Sequence, residues 1–274
     1  MINAILIPTD FSEVANNAIQ YAVELAKKCN AHIHIFHAKQ IPIADPAFPA
    51  EAYQLYVDEI ARTEKEGFEH LKNGILNNVG LTVSFHSSTG FVADEILDYA
   101  SNNNIDLVIM GTKGATGMAE VFIGTNAASV IDKAHLPVLV IPPGFKYKNI
   151  EHIIYATDYN EPEFPSVSRM MFFAELYDAR VTVLHAKTEV DHYFNAEGNF
   201  FNRNLENFSH KKIAVINLNN KDASSAIEDW VDTQHADFLV LAKHNRNFFD
   251  RLFHRSLSKQ MAYHSKVPLL VLNK

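Results

Sequence analysis

Short apolar runs alternate with amphipathic segments through the first half of the chain. The runs have the length of buried strands, and the segments between them place apolar residues at helical spacing. The predicted strands are Ala4–Pro8, Ala31–Ala38, Thr82–Ser87, Ile105–Met110 and Pro137–Ile141, and the predicted helices are Glu13–Lys28, Glu51–Asn77, Ala93–Ser101 and Asn126–Ala134. This alternation predicts an α/β fold, in which a parallel sheet carries helices on both faces.

The same order of segments returns after residues 142–150, which interrupt the pattern and are predicted to form a linker. Residues 153–159 and 181–187 repeat residues 5–11 and 33–39 after 148 positions, and residues 236–241 and 267–272 repeat residues 105–110 and 136–141 after 131 positions. The second copy is therefore 17 residues shorter, mainly in the part that corresponds to residues 41–77. The repeat predicts two tandem doubly wound parallel-sheet domains, at residues 1–143 and 150–274.

A glycine-rich loop follows the fourth predicted strand and leads into a helix. Gly111, Gly114 and Gly124 let backbone N–H groups approach a ligand closely, and Gly124-Thr125 opens a helix whose first amides have no partner within it. Free amides and the positive end of the helix dipole together favour a phosphate group. An ordinary loop, with Thr125 as the helix N-cap, explains the same residues about equally well.

Two other segments of the first half end at the same edge of the predicted sheet. They are Pro8-Thr9-Asp10 after the first strand and Ala38-Lys39 after the second. Ligands of open parallel sheets bind beyond the carboxyl ends of the strands, where the strand order reverses. Asp10 offers a carboxylate to a base or a ribose hydroxyl, and helix capping or loop anchoring is the alternative role. Ser12 is the predicted N-cap of the first helix.

Composition narrows the range of partners. The formal net charge of −8 argues against a nucleic acid or an anionic membrane as the main partner, although it permits a small anion held by backbone amides. Cys29 is the only cysteine, so an intramolecular disulfide and a cysteine metal cluster are excluded. The sequence shows no leader and no long apolar segment, which predicts a cytosolic protein.

The other chemical candidates are weaker. His32 and His34 put two rings on one face of a strand, as a metal site requires, but no acidic residue stands nearby, so a packed strand face is favoured. A P-loop is excluded because the chain has no Gly-Lys-Ser/Thr, and there is no Gly-x-Ser-x-Gly and no clear nucleophile-base pair.

Two further groups of residues suggest surfaces. A basic cluster in the second half is predicted to be a solvated or interdomain loop rather than an anion site. Its members are His244, Arg246, Arg251, His254 and Arg255. Aromatic and proline side chains are candidates either for a partner surface or for cover over a sheet edge. They are Pro46, Phe48, Pro49, Phe248 and Phe249.

The spacing Gly111-x2-Gly114-x9-Gly124-Thr125 resembles the nucleotide-binding signature of the universal stress protein superfamily. The run Pro-Thr-Asp-Phe-Ser after the first strand resembles the opening of that family, and the likeness covers nearly the whole chain as two tandem domains. It implies domains that resemble adenine nucleotide α-hydrolases, with ATP, alone or with Mg²⁺, in the first half. It also implies that the halves pack as the subunits of a dimer do, with the closing strands 138–141 and 269–272 near a pseudo-twofold axis.

The resemblance also assigns residues by position. Adenine and ribose would lie against Pro8, Thr9, Asp10 and the backbone near Ala38. The ribose and the first phosphates would lie against Met110, Gly111, Thr112, Lys113 and Gly114, and the phosphate chain against Gly124, Thr125, Asn126 and Ala127. Lys113 is not a fixed position of the motif, so its role is the least supported of these.

The second half departs from this pattern at the glycines. Ala242, Asn245 and Arg255 stand where the first half has Gly111, Gly114 and Gly124, and Ser256 alone keeps the hydroxyl of Thr125. Side chains at these positions obstruct close backbone approach, so no ATP is expected there by this mode. Asp158, the counterpart of Asp10, is expected to have a structural role.

The expected function is regulatory, because the predicted phosphate site has no recognisable catalytic base. Nucleotide occupancy would order residues 111–125 and so change a surface that an unknown protein partner recognises. The alternatives are an enzyme that cleaves or transfers from ATP with Asp10 or Lys113 taking part, and a structural pseudo-dimer that binds nothing. The resemblance leaves open whether two chains pair further.

Overall fold

A computed structural model describes residues 1–41, 49–112, 124–157, 164–187, 212–219, 223–243 and 266–273. The strands are β1 Ala4–Pro8, β2 His32–Lys39, β3 Val83–Thr89, β4 Leu107–Gly111, β5 Val138–Ile141, β6 His152–Thr157, β7 Arg180–Lys187, β8 Ile213–Asn219, β9 Phe238–Lys243 and β10 Leu269–Asn273. The helices are α1 Glu13–Cys29, α2 Ala50–Asn73, α3 Val92–Asn102, α4 Thr125–Lys133, α5 Phe164–Tyr177 and α6 Ala223–Thr233. The α/β alternation that the sequence predicts is confirmed.

All ten of these strands belong to one sheet, in the order β3-β2-β1-β4-β5-β10-β9-β6-β7-β8. Within each half the strands are parallel, as predicted. The two halves meet where β5 pairs antiparallel with β10, with Leu139 opposite Leu270. The closing strands are thus neighbours, as the family resemblance implies, and they join the two parallel sheets into one mixed sheet.

The apolar core lies on both faces of the sheet. One face is covered by α1, α2 and α5, and the other by α3, α4 and α6. Successive strand residues point to opposite faces, so Ile5 and Ile7 enter the first core while Leu6 enters the second. Each core contains residues from both halves. The junction is therefore a continuous part of the interior.

Each half repeats the same carboxylate contact at the start of its first strand. The Asp106 Oδ2 atom accepts hydrogen bonds from the backbone nitrogens of Asn3 at 2.7 Å and Ala4 at 3.1 Å. Asp237 Oδ2 accepts from the nitrogens of Glu151 at 2.9 Å and His152 at 3.0 Å. The repeat found in the sequence is thus also a repeat of hydrogen bonds.

The linker between the halves is packed against them. Ile150 is only 2% exposed, and the ring of Tyr147 lies 5.1 Å from that of Tyr21 in α1. The Tyr147 hydroxyl is 3.1 Å from that of Tyr177 in α5. Residues 142–150 interrupt the α/β pattern, as predicted, but their aromatic side chains fill the space between α1 and α5.

The predicted second helix was too long. The sequence predicts a helix to Asn77, whereas α2 ends at Asn73, with Gly74 as its C-cap. Gly74 donates its N–H to the His70 carbonyl oxygen at 2.9 Å, and Asn78 and Gly80 then adopt positive φ angles of 54° and 75°. Left-handed residues turn the chain away from the helix axis, and a hydrophobic pattern does not reveal them.

Candidate functional site

The carboxyl ends of β1 and β4 meet at the point where the strand order of the first half reverses. β1 lies between β2 and β4, and Ile5 and Leu6 pair with Leu107 and Val108. Continued along the strands, this register brings Thr9 level with Gly111. The structure thus brings together the two strand ends that the sequence predicts to form the site, at the place where such sheets bind ligands.

Thr9 is held by three hydrogen bonds. Its nitrogen donates to the Phe36 carbonyl at 2.8 Å, and its Oγ1 accepts from the Phe11 nitrogen at 3.0 Å. Its carbonyl oxygen lies 2.8 Å from Nδ1 of His37. Because a carbonyl oxygen can only accept, the His37 Nδ1 atom carries the hydrogen. Thr9 therefore shapes the loop, and its neighbour Asp10 is the exposed group.

Asp10 anchors the loop, which is the alternative that the sequence offers for it. Its Oδ1 atom accepts from the Ser12 nitrogen at 3.1 Å. Ser12 is the N-cap of α1, as predicted, because its Oγ atom accepts from the Ala15 nitrogen at 3.2 Å. Asp10 is exposed, so its carboxylate lies at the surface beside the strand ends.

Phe11 lies between these polar residues in a left-handed conformation, with φ at 63°. Its ring packs 4.7 Å from the ring of His37 and 5.3 Å from that of Phe68. A Cβ atom on Gly67 would lie 2.6 Å from the Phe11 ring, so α2 needs a glycine at this point. The unfavourable backbone of Phe11 is thus offset by a fitted ring, which fixes the loop that carries Asp10.

Gly111 has a packing reason to be glycine. A Cβ atom there would lie 2.7 Å from Val14 Cγ1 and 3.1 Å from the Val14 carbonyl oxygen. α1 thus packs directly against the end of β4. The contact with α1 therefore requires a glycine at position 111, whether or not the backbone there also contacts a ligand.

Thr112 is buried to 3% exposure immediately after β4. Its nitrogen donates to the Ile141 carbonyl at 3.2 Å, and its carbonyl accepts from the Gly124 nitrogen. Its Oγ1 atom has no hydrogen-bond partner in the part of the chain that the structure describes. A buried hydroxyl without a partner is costly, so this atom is a strong candidate to contact a bound polar group.

The N-terminus of α4 lies next to Thr112. The structure makes Gly124 the N-cap and Thr125 the first helical residue, so the alternative with Thr125 as N-cap is wrong. No side chain caps this end among the described residues. The first intrahelical bond runs from the Ala128 nitrogen to the Gly124 carbonyl, which leaves the amides of Thr125, Asn126 and Ala127 to another partner.

The remaining predicted residues differ in what they can offer. Met110 and Ala127 are buried in the core against the second face, so only their backbone can reach a ligand. Ala38 pairs with Ser88 within the sheet and is half-buried, as is Pro8. Lys113 and Gly114 lie outside the described residues.

Sequence reasoning missed His37, which it used only to mark the repeat. His185, 148 positions later, places its Nδ1 atom 3.0 Å from the Thr157 carbonyl oxygen, just as His37 contacts Thr9. The recurrence of a polar residue at the end of the second strand of each copy was the available signal. Gly67 was missed too, because its partner Phe11 lies far away in sequence.

Ala242 is the one described residue among the four second-half positions that replace the motif. It is 4% exposed and belongs to the core, at the end of β9. Asn245, Arg255, Ser256, Asp158 and the basic cluster lie outside the described residues. The predicted surface residues do as well, except Pro49, which precedes α2 as its N-cap.

His32 and His34 pack in a small aromatic cluster. Their ring centroids are 4.0 Å apart, and His34 Nδ1 is 3.0 Å from the Tyr99 hydroxyl. His86, on β3, stacks 5.9 Å from His34. In the described part of the chain, no group of three or more histidine, cysteine or acidic residues is placed to hold a metal ion. These contacts support the packed strand face over the metal site.

The cluster predicts acid sensitivity. Burial, and then the nearby His32 and His86, lower the pKa of His34 from 6.5 to about 4. Between pH 6.5 and pH 4, His34 is therefore protonated in the unfolded chain and neutral in the folded chain. The free energy of unfolding falls as the pH is lowered through this range. Replacing His34 by glutamine should reduce the loss between pH 7 and pH 4.5 by roughly 1–2 kcal/mol, measured by urea unfolding at both pH values.

His70→Gln, at an exposed position of α2 outside the cluster, is the matched control for replacing a histidine, and the loss of stability should be smaller in the His34 variant than in this one. An identical loss of stability in the His34 and His70 variants would contradict the assignment.

Two copies of a parallel α/β unit, joined through their last strands, define a tandem doubly wound protein with a crevice where the strand order of its first copy reverses. A family model described as the Universal stress protein family matches residues 1–142 and 149–273. The chain therefore belongs to the universal stress protein family, as its motifs predict. None of the helices in the described ranges is long and apolar enough to cross a membrane.

The relatives correspond to one half of the chain or to all of it. Universal stress protein MJ0531 of Methanocaldococcus jannaschii is 33% identical over 140 residues, which are 50% of this chain and 80% of that protein. YxiE of Bacillus subtilis is 27% identical over 147 residues, 52% of this chain and 99% of that protein. The solved structure of a universal stress protein from Archaeoglobus fulgidus covers 100% of this chain and 99% of its own, with a TM-score of 0.71 at 16% identity, which is evidence on fold alone.

Proposed function

We propose that the first half binds ATP and that the second half does not. The observation that carries this proposal is the uncapped N-terminus of α4 beside the unpartnered Thr112 hydroxyl, at the crevice between β1 and β4. Backbone amides and the helix dipole suit the phosphates, and the exposed Asp10 stands at the neighbouring strand end, where a ribose or base would lie.

The hydrogen-bond donors at this end of α4 match the acceptor oxygens of a triphosphate. Phosphate oxygens only accept hydrogen bonds, and the α4 amides and the Thr112 hydroxyl can all donate. Thr125 and Asn126 are exposed, so a ligand can reach this end of the helix from solvent. Lys113 and Gly114 would complete the phosphate contacts, and Mg²⁺ would neutralise charge on the phosphates where it accompanies ATP.

We place the boundary between the two domains at the packed linker, with residues 1–143 and 150–274 on either side. A role as a nucleotide-dependent regulator is favoured over an enzyme, because Asp10 accepts a hydrogen bond from the Ser12 amide and so anchors its loop. Binding would order residues 111–125 and change the surface above them. Release of ADP or AMP at an enzymatic rate would instead favour the nucleotide-cleaving alternative.

Calorimetric titration with ATP should give one site per chain. Hydrogen exchange should then slow in residues 111–127 and stay unchanged in residues 242–258, because the second copy lacks the glycines. Titrations with AMP and GTP alongside would show which nucleotide the site prefers. Slowed exchange in the second copy, or no binding at saturating ATP, would contradict the proposal.

A further inference from the structure

A cavity of about 250 Å³ lies at the end of the sheet opposite the proposed nucleotide site. Asp106 and Leu136 line it from the starts of β4 and β5, and Ile2 lines it from the start of the chain. Arg169, Phe172 and Phe173 line it from α5. A molecule in this cavity would contact both halves of the chain at once.

Arg169 is held at the cavity wall by backbone of the last strand. Its Nη1 atom donates to the Asn273 carbonyl at 2.6 Å, and Asn273 Nδ2 in turn donates to the Leu136 carbonyl at 2.9 Å. A guanidinium has five N–H groups, so this contact leaves donors for a ligand. A carboxylate matches the planar fork that they form.

Asp106 supplies the opposite charge. Its repeat counterpart Asp237 accepts from two amides and also pairs with Lys148, whose Nζ atom is 2.5 Å from Oδ1. Asp106 accepts from the corresponding two amides, but among the described side chains no lysine, arginine or histidine pairs with it. Its half-buried carboxylate is thus without the cation that its counterpart has, and an ammonium group would supply one.

Apart from His135, the rest of the wall is apolar. Ile2 and Phe173 are buried, and Phe172 is partly buried beside them. At the roughly 30 Å³ that a water molecule takes in the liquid, the cavity has room for about eight non-hydrogen atoms. This is the size of a small aliphatic amino acid.

We propose that this cavity binds a small apolar amino acid. Its carboxylate would pair with Arg169 and its ammonium with Asp106, while its side chain would lie against Ile2, Phe172 and Phe173. Such a ligand would stabilise the contact between the halves independently of the nucleotide, because it binds the amino ends of β4 and β5 and not their carboxyl ends.

Calorimetry on the full chain tests the proposal with L-leucine as the probe. Two analogues, 3-methylbutylamine and 4-methylpentanoate, each lack one of the two charges and should bind at least about tenfold more weakly than leucine. Asp106→Asn and Arg169→Met should each weaken leucine binding by at least about tenfold. Asp106→Asn keeps an oxygen that accepts from the amides of Asn3 and Ala4, so the fold should survive.

Asp237→Asn is the matched control, because it changes the counterpart carboxylate outside the cavity, and leucine binding should not change. If Arg169→Met unfolds, Arg169→Lys, which keeps a cation, takes its place. The affinity of Arg169→Lys for leucine should lie between those of the parent protein and Asp106→Asn. The proposal is overturned if leucine does not bind saturably, if either analogue binds as tightly, or if Asp106→Asn binds leucine as Asp237→Asn does.

Discussion

Replacing Gly124 by valine should remove ATP binding while the fold remains. Gly124 has φ −64° and ψ 159°, an extended conformation that valine adopts readily, so the backbone need not move. The new side chain stands at the N-cap, beside the amides proposed to hold the phosphates. We expect affinity for ATP to fall at least about a hundredfold, or about 3 kcal/mol, in calorimetric titration.

Phe91→Val is the control for this substitution. Phe91 is the N-cap of α3, also in an extended conformation, and it is 76% exposed beyond the end of β3, which β2 separates from β1. ATP affinity should be unchanged in that variant, and thermal unfolding of both should stay close to the parent, since exchanging N-cap residues costs about 1 kcal/mol. Unaltered ATP affinity in the Gly124 variant would refute the site.

Replacing Leu270 by alanine should destabilise the whole chain and not the second half alone. Leu270 and its partner Leu139 face each other across the antiparallel junction, and both are fully buried. Removing either side chain leaves a cavity, which costs about 2–5 kcal/mol. Because the two residues are in register, the double variant should show a coupling of about 0.5–3 kcal/mol.

Trp230 fluorescence reports on the second half of the chain, since Trp230 is the only tryptophan and lies in α6. Leu139→Ala, in the first half, should lower the urea midpoint seen by Trp230 fluorescence as much as the midpoint seen by far-ultraviolet circular dichroism. Leu55→Ala, at a site 70% exposed, should stay within about 0.5 kcal/mol of the parent. Two separate transitions would contradict a shared core.

The strands and helices of the first half could be predicted because their patterns are local. Ala4–Pro8 is an apolar run of strand length and forms β1 with the same bounds. Ser12 has a short side chain with an oxygen just before an amphipathic helix, and it caps α1. These features depend on neighbours within a few residues, which a sequence displays directly.

Contacts between distant residues could not be predicted in this way. Phe11 packs on Gly67, and His86 joins His34 only because β2 and β3 pair in a particular register. The glycine at position 111 was attributed to ligand approach, whereas the structure also shows Val14 against it. A glycine pattern does not say which neighbour excludes the side chain, so a spacing motif can combine positions kept for packing with positions kept for binding.

The antiparallel pair of β5 and β10 has a further consequence for how such a protein can change. Since both strands belong to one polypeptide, their association is unimolecular and persists on dilution. Each copy carries its own carboxylate and histidine contacts, so the scaffold of one does not rely on the ligand of the other. A tethered pair of this kind lets the later copy accumulate substitutions in its crevice at no cost to assembly.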